Sequence, residues 1–165
     1  MNKYSFLGLI LGFTFISSSA FAAVDPEVSY ILNTLLFLIG GFLVMWMAAG
    51  FAMLESGLVT SKSVATIAAK NIGLYSIAGL MFWFIGYNLA YGIPEGGFIG
   101  TLLPWSDASS IETGYSDGSD WFFQMVFCAT TCSIVSGTMA ERIKIWPFFL
   151  FCAILAGVIY PIEMG

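Results

Sequence analysis

Beyond residue 23 the chain alternates between long apolar runs and shorter polar breaks. Four runs stand out, at about residues 28–54, 64–91, 121–140 and 147–163. Each approaches or exceeds the ~20 residues with which a helix crosses about 30 Å of hydrocarbon. Ser61-Lys62-Ser63 breaks the first two runs apart, and Ala140-Glu141-Arg142 precedes the fourth. Pro147 suits the first turn of that fourth run, where a missing N–H costs nothing. One long interval, about residues 92–120, is rich in Gly, Pro and Ser. The pattern predicts an all-α membrane protein, a polytopic bundle of four spans.

Composition points the same way. Of 165 residues, 59% are hydrophobic and 9% charged, against about 25% charged in soluble domains. So few polar groups cannot cover a water-soluble surface, and the lipid bilayer is the expected environment. The first 22 residues read differently from the spans. Lys3 is followed by an apolar stretch over residues 4–16, too short to span unaided, and then by Ala20-Phe21-Ala22. That small-x-small ending is what signal peptidase requires. Residues 1–22 are therefore expected to be a cleaved signal peptide, with 23–165 as the mature domain; an uncleaved anchor is the alternative reading. Cleavage implies a bacterial secretory route and a mature N-terminus on the periplasmic side of the inner membrane.

Charge placement predicts the same orientation. Lys62 and Lys70 lie at the junction of the first two spans, and Arg142 and Lys144 lie between the last two. Basic residues favour the cytoplasmic side, so both short turns are expected there. The interval 92–120 then faces outward with Glu95, Asp107, Glu112, Asp117 and Asp120 and no basic residue. Those acids read as ordinary solvation or as a weak field that gathers cations. Without a basic run, nucleic acid is not an expected partner. Cys128, Cys132 and Cys152 sit inside apolar runs, and the sequence has no histidine. Neither a disulfide framework nor a metal site is expected, and no nucleophile–base pair or phosphate loop suggests an enzyme or a cofactor.

Small residues recur at four-residue spacing, as Ala65, Ala69 and Gly73 on the second span and Ala129, Ser133 and Gly137 on the third. In lipid such stripes favour close helix packing. On the third span Phe123, Phe127, Thr130 and Ile134 share a face at 100° per residue, with Ala129 and Ser133 about a third of a turn away. This aromatic stripe reads as core or lipid-facing packing, or as the lining of a narrow dry pore. Glu55, Glu141, Arg142 and Lys70 cluster at the inner ends of the spans, where mutual pairing or snorkelling is the leading reading and a polar inner lip the other. Trp46, Trp83, Trp105 and Trp146 read as interface anchors or packing.

Two stretches carry a family resemblance. Gly50-Phe51-Ala52-Met53-Leu54-Glu55-Ser56-Gly57-Leu58, with Lys62 after it, is similar to the G-F-A-x-L-E-x-G-L-x-x-x-K signature of ammonium transporters. Trp121-Phe122-Phe123-Gln124, Phe127-Cys128-Ala129-Thr130-Thr131, Ile134-Val135-Ser136-Gly137 and Ala140-Glu141-Arg142 resemble a second block of the same Amt/Mep/Rh family. Tyr160-Pro161-Ile162 resembles the outer end of the family's fourth helix. The resemblance implies an eleven-span fold built of two inverted halves, a homotrimer of separate pores, and ammonium or ammonia as substrate. It implies that Phe123 helps form an external aromatic cation site, that Phe127 is one of two gate rings beneath it, and that Ile134 lines the apolar passage. This chain corresponds to an incomplete first part of that fold, and neither of the family's pore histidines falls within it. A PII-type cytoplasmic regulator is a further partner the family implies. An ammonium-sensing receptor of the same family and a non-transporting four-span accessory protein are the alternatives.

Overall fold

In the computed structural model, residues 25–165 are described, and the signal peptide expected over residues 1–22 lies outside them. Helix α1, Pro26–Leu58, opens with Asp25 accepting from the Glu27 N–H at 2.9 Å and with proline in its first turn. Its 33 residues extend for about 50 Å at 1.5 Å each, more than a hydrocarbon core requires. The second rod begins with the short turn Ser61–Ser63 and continues as α2, Val64–Met81. A π turn, Phe82–Gly86, joins it to α3, Tyr87–Tyr91. The loop after α3 leads to α4, Asp117–Thr138. The last rod is α5, Ile145–Ile154, a second π turn, Leu155–Ile159, and α6, Tyr160–Met164.

Among the described residues, three rods are long and apolar enough to cross a membrane: Pro26–Leu58, Ser61–Tyr91 and Ile145–Met164. Helix α4 is the exception, and its position explains why. It packs against α1, α2 and the fourth rod, so Ser119, Asp120, Thr130, Ser133 and Ser136 are buried by protein. A helix shielded by its neighbours can carry polar groups that a lipid-facing helix cannot. Around it Leu74, Phe82, Val126, Cys128, Cys132, Phe148 and Cys152 form the core. The two π turns pack on each other toward the long-loop end of this core.

The small-residue stripes divide in the folded chain. Ala129 and Ser133 face the interior of the bundle as their spacing suggests, but Ala65 and Ala69 of α2 are exposed. The inward face of α2 is instead Ile67, Lys70, Asn71, Leu74 and Ala78. Lys70 and Asn71 need polar partners that lipid does not offer, so their face turns inward and the alanines turn out. Gly73 still makes a close contact: a Cβ there would stand 2.3 Å from Phe149 Cζ.

Both short turns lie at one end of the bundle. The carboxylate of Glu141 accepts from the Thr60 N–H at 3.1 Å and from its hydroxyl at 2.6 Å, joining the two turns. At the opposite end the long loop is tied to α1. Asn33 Nδ2 donates to the Gly114 carbonyl at 3.0 Å, and the Ser116 N–H donates to Thr34 Oγ1 at 3.0 Å.

Candidate functional site

An unbroken row of four rings descends from the long loop into the bundle. Tyr115 meets Phe37 of α1 with ring centroids 5.0 Å apart, Phe37 meets Phe123 at 5.5 Å, and Phe123 meets Phe127 at 5.1 Å. All three contacts are tilted toward edge-to-face geometry, the favoured arrangement for aromatic quadrupoles. Helix α1 comes this close to α4 because glycine stands at the crossing. A Cβ on Gly40 would lie 2.8 Å from Phe123 Cε2, and one on Gly41 would lie 2.6 Å from Phe122 Cε1.

Phe123 and Phe127 are both half-buried. Ile134 lies seven residues further along α4, about 10 Å deeper, and is 53% exposed. Phe123 is covered on one side by Gly40 and Phe37 of α1, Thr131 is half-buried, and Ile134 alone of the three is exposed. Thr130, grouped with them by angle, is instead buried, and its hydroxyl donates to the Val126 carbonyl at 2.8 Å. The small residues Ala129 and Ser133 point to the centre of the described bundle, away from Ile134. Phe37 and Tyr115 were not evident in the sequence. Phe37 is one of many apolar residues in its run, and Tyr115 lies in a loop, so only the fold pairs them.

A second polar centre lies near the end where the short turns meet. Glu55 of α1 and Lys70 of α2 form an ion pair with Nζ to Oε2 at 3.0 Å, their side chains 1% and 6% exposed. The same carboxylate oxygen accepts from Ser136 Oγ at 3.0 Å and from Asn71 Nδ2 at 3.4 Å. Lys70 also donates to the Ser136 carbonyl at 3.1 Å and stands 5.2 Å from the centre of the Phe148 ring. Every rod contributes to this cluster. Of the two readings of these charges, mutual pairing describes Glu55 and Lys70. Glu141 and Arg142 remain at the exposed turn.

The acids of the long loop are mostly engaged in structure. Asp120 is buried and accepts from Tyr87 Oη at 2.7 Å and Gln124 Nε2 at 3.3 Å. Asp117 accepts from the Ala108 N–H at 3.0 Å. The hydroxyl and amide of Ser109 hold the Asp107 carboxyl below its ordinary range. Glu95 and Glu112 are exposed. The three cysteines are buried and unpaired; Cys128 and Cys132 direct their thiols to the Ala156 and Cys152 carbonyls. No group of three or more metal-ligating side chains occurs among the described residues.

The model of the Ammonium Transporter Family matches residues 35–164, nearly the whole helical region. The chain belongs to the ammonium transporter family. Its members are transporters and not enzymes, which agrees with the reading of the two motif blocks. Among its relatives is ammonium transporter Amt2 of Archaeoglobus fulgidus, 42% identical over 131 residues, covering 76% of this chain and 26% of that protein. An ammonium transporter of Aquifex aeolicus is 30% identical over 168 residues, covering 98% of this chain and 38% of its own length. The solved structure of a sensor Amt protein superposes with a TM-score of 0.76 at 28% identity, covering 85% of this chain and 35% of that one. The chain thus spans roughly a quarter to two fifths of the length of these relatives.

Proposed function

We propose that this segment forms one wall of a conduit for ammonium or ammonia, with the side of α4 that carries Phe127 and Ile134 turned toward the path. Tyr115, Phe37 and Phe123 make an aromatic approach from the outer loop, where a dehydrating ammonium ion gains ~0.5–2 kcal/mol from ring faces. Phe127 closes the path beneath them, and Ile134 lines a passage too apolar for a charged, hydrated ion. Such a passage favours neutral NH3 over K+ or Na+. The observation that carries this reading is the continuous row of four rings from Tyr115 to Phe127, with exposed Ile134 beyond it on the same helix. The order of residues along it, aromatic outside and aliphatic inside, is the order that selective dehydration requires.

The same reading sets the loop 92–116 in the periplasm and the two basic turns in the cytoplasm of a bacterium's inner membrane. It also brings a homotrimer and a PII-type cytoplasmic regulator as partners of the whole protein. The test is Phe127→Ala in the transporter that carries this segment, assayed by methylammonium uptake into proteoliposomes. The expected result is altered flux or lost discrimination against K+. Uptake and selectivity equal to the parent protein's refute the gate role. The likeness to a sensor Amt protein favours a second reading, an ammonium-sensing receptor. Specific ammonium binding without net uptake in the same vesicles supports that alternative.

A further inference from the structure

The loop after α3 does not project freely into water. It turns back and runs down the side of the second rod. The Gly100 N–H donates to the Leu89 carbonyl at 3.0 Å, the Thr101 N–H to Asn88 at 3.1 Å, and the Trp105 N–H to Trp83 at 2.8 Å. Asn88 Nδ2 donates to both the Leu103 and Pro104 carbonyls at 2.9 Å. From Leu89 to Trp83 is six helical residues, so the strap descends about 9 Å. Glycine is required where it docks: a Cβ on Gly100 would lie 2.1 Å from the Asn88 carbonyl oxygen.

The π turn supplies the lower attachment. In a regular α-helix the Tyr87 N–H would bond to the Trp83 carbonyl; here it bonds to Phe82. Trp83 is thereby left to accept from Trp105. A π turn in the middle of a span is otherwise an unexplained irregularity.

The strap holds apolar side chains outward. Phe98 is 96% exposed and Leu102 72%, and Ile99 and Leu103 are exposed beside them. No charged residue occurs between Glu95 and Asp107. On the second rod Leu80, Phe84 and Tyr91 are also exposed.

We propose that the strap over residues 98–105 is an anchor in the outer interface of the bilayer, with Phe98, Ile99, Leu102 and Leu103 inserted among lipid headgroups and upper acyl chains. Its descent matches the ~5–10 Å depth of interfacial segments. Trp83 and Trp105 meet at its lower end, and Tyr91 stands about 12 Å further up the rod, so amphipathic rings bracket the strap as they do at membrane interfaces. Its backbone is tied to the helix by five hydrogen bonds, which satisfy the N–H groups of Gly100, Thr101 and Trp105 and the carbonyls of Leu103 and Pro104. A neutral apolar surface at that depth fits lipid better than a soluble partner.

The test places a bimane label at Phe98→Cys, at Leu102→Cys and, as a control, at Glu112→Cys, in protein reconstituted into phosphatidylcholine vesicles. Phe98 and Leu102 lie on the exposed surface, so neither change disturbs the core. Quenching is then compared between a lipid spin-labelled near its headgroup and aqueous iodide. The anchor predicts about twofold or greater loss of emission to the lipid quencher at 98 and 102, with iodide effective only at 112. Iodide quenching at 98 and 102 equal to that at 112 overturns the proposal, because the strap would then be in water. Protection from both quenchers overturns it equally, because protein, including a second copy of this chain, would then cover the strap.

Discussion

Replacing Lys70 with methionine keeps most of the side chain's bulk and removes its charge, leaving the Glu55 carboxylate in a protein interior. Of the three partners of Glu55 Oε2, Ser136 and Asn71 are neutral and Lys70 is the cation. At 3.0 Å the pair attracts by about 5 kcal/mol with an effective dielectric of 20. Part of this offsets the cost of removing both charges from water, so the pair need not stabilise the fold relative to apolar residues. Breaking it is another matter, since one buried charge is left uncompensated. The expected loss is about 3–5 kcal/mol. The contact of Lys70 with Phe148 is lost as well. Reversible unfolding in mixed micelles of dodecylmaltoside and SDS, followed by tryptophan fluorescence, measures the difference. Glu55→Gln combined with Lys70→Met should recover most of the loss, because the uncompensated charge is gone. A single variant within ~0.5 kcal/mol of the parent, or a double variant no better than the single, refutes this account of the cluster.

Gly41→Ala should destabilise the same transition by about 1–3 kcal/mol, since the new Cβ meets Phe122 at 2.6 Å and must push its ring aside. Glu141 gives a pH dependence. Its carboxyl is held below the ordinary value of 4.5, first by the Thr60 hydroxyl and then by Ser63, the Thr60 amide and Lys62. A lowered folded pKa stabilises above the unfolded value and is lost as pH falls through the folded one. Protection of the Thr60 amide from hydrogen exchange, corrected for intrinsic rate, should therefore hold at pH 7 and fall below about pH 4.5. Glu141→Gln should flatten that profile; an unchanged profile in the variant refutes it. A cysteine introduced between residues 107 and 117 should react with an impermeant thiol reagent from the periplasm, and labelling only from the cytoplasm overturns the proposed orientation.

The apolar runs by themselves determine an all-helical membrane protein, because unpaired backbone groups in lipid leave helices as the economical way for such runs to cross. The motif blocks around Glu55 and from Trp121 to Arg142 were enough to identify the family. Which face of each helix turns inward was less legible. Helical spacing grouped Thr130 with Phe127 and aligned Ala65 with Gly73, yet Thr130 is buried and Ala65 is exposed. Periodicity reports which residues share a side, but neighbours decide which side is covered. Glu55 and Lys70 were recognisable as charges needing partners; their common interior with Ser136 and Phe148 required all four rods to meet. The rings of Phe37 and Tyr115, and the strap seated on the Trp83 carbonyl, likewise join residues distant in the chain. Burial and hydrogen bonding between such residues depend on helix crossing angles and a local π turn, which no single segment encodes.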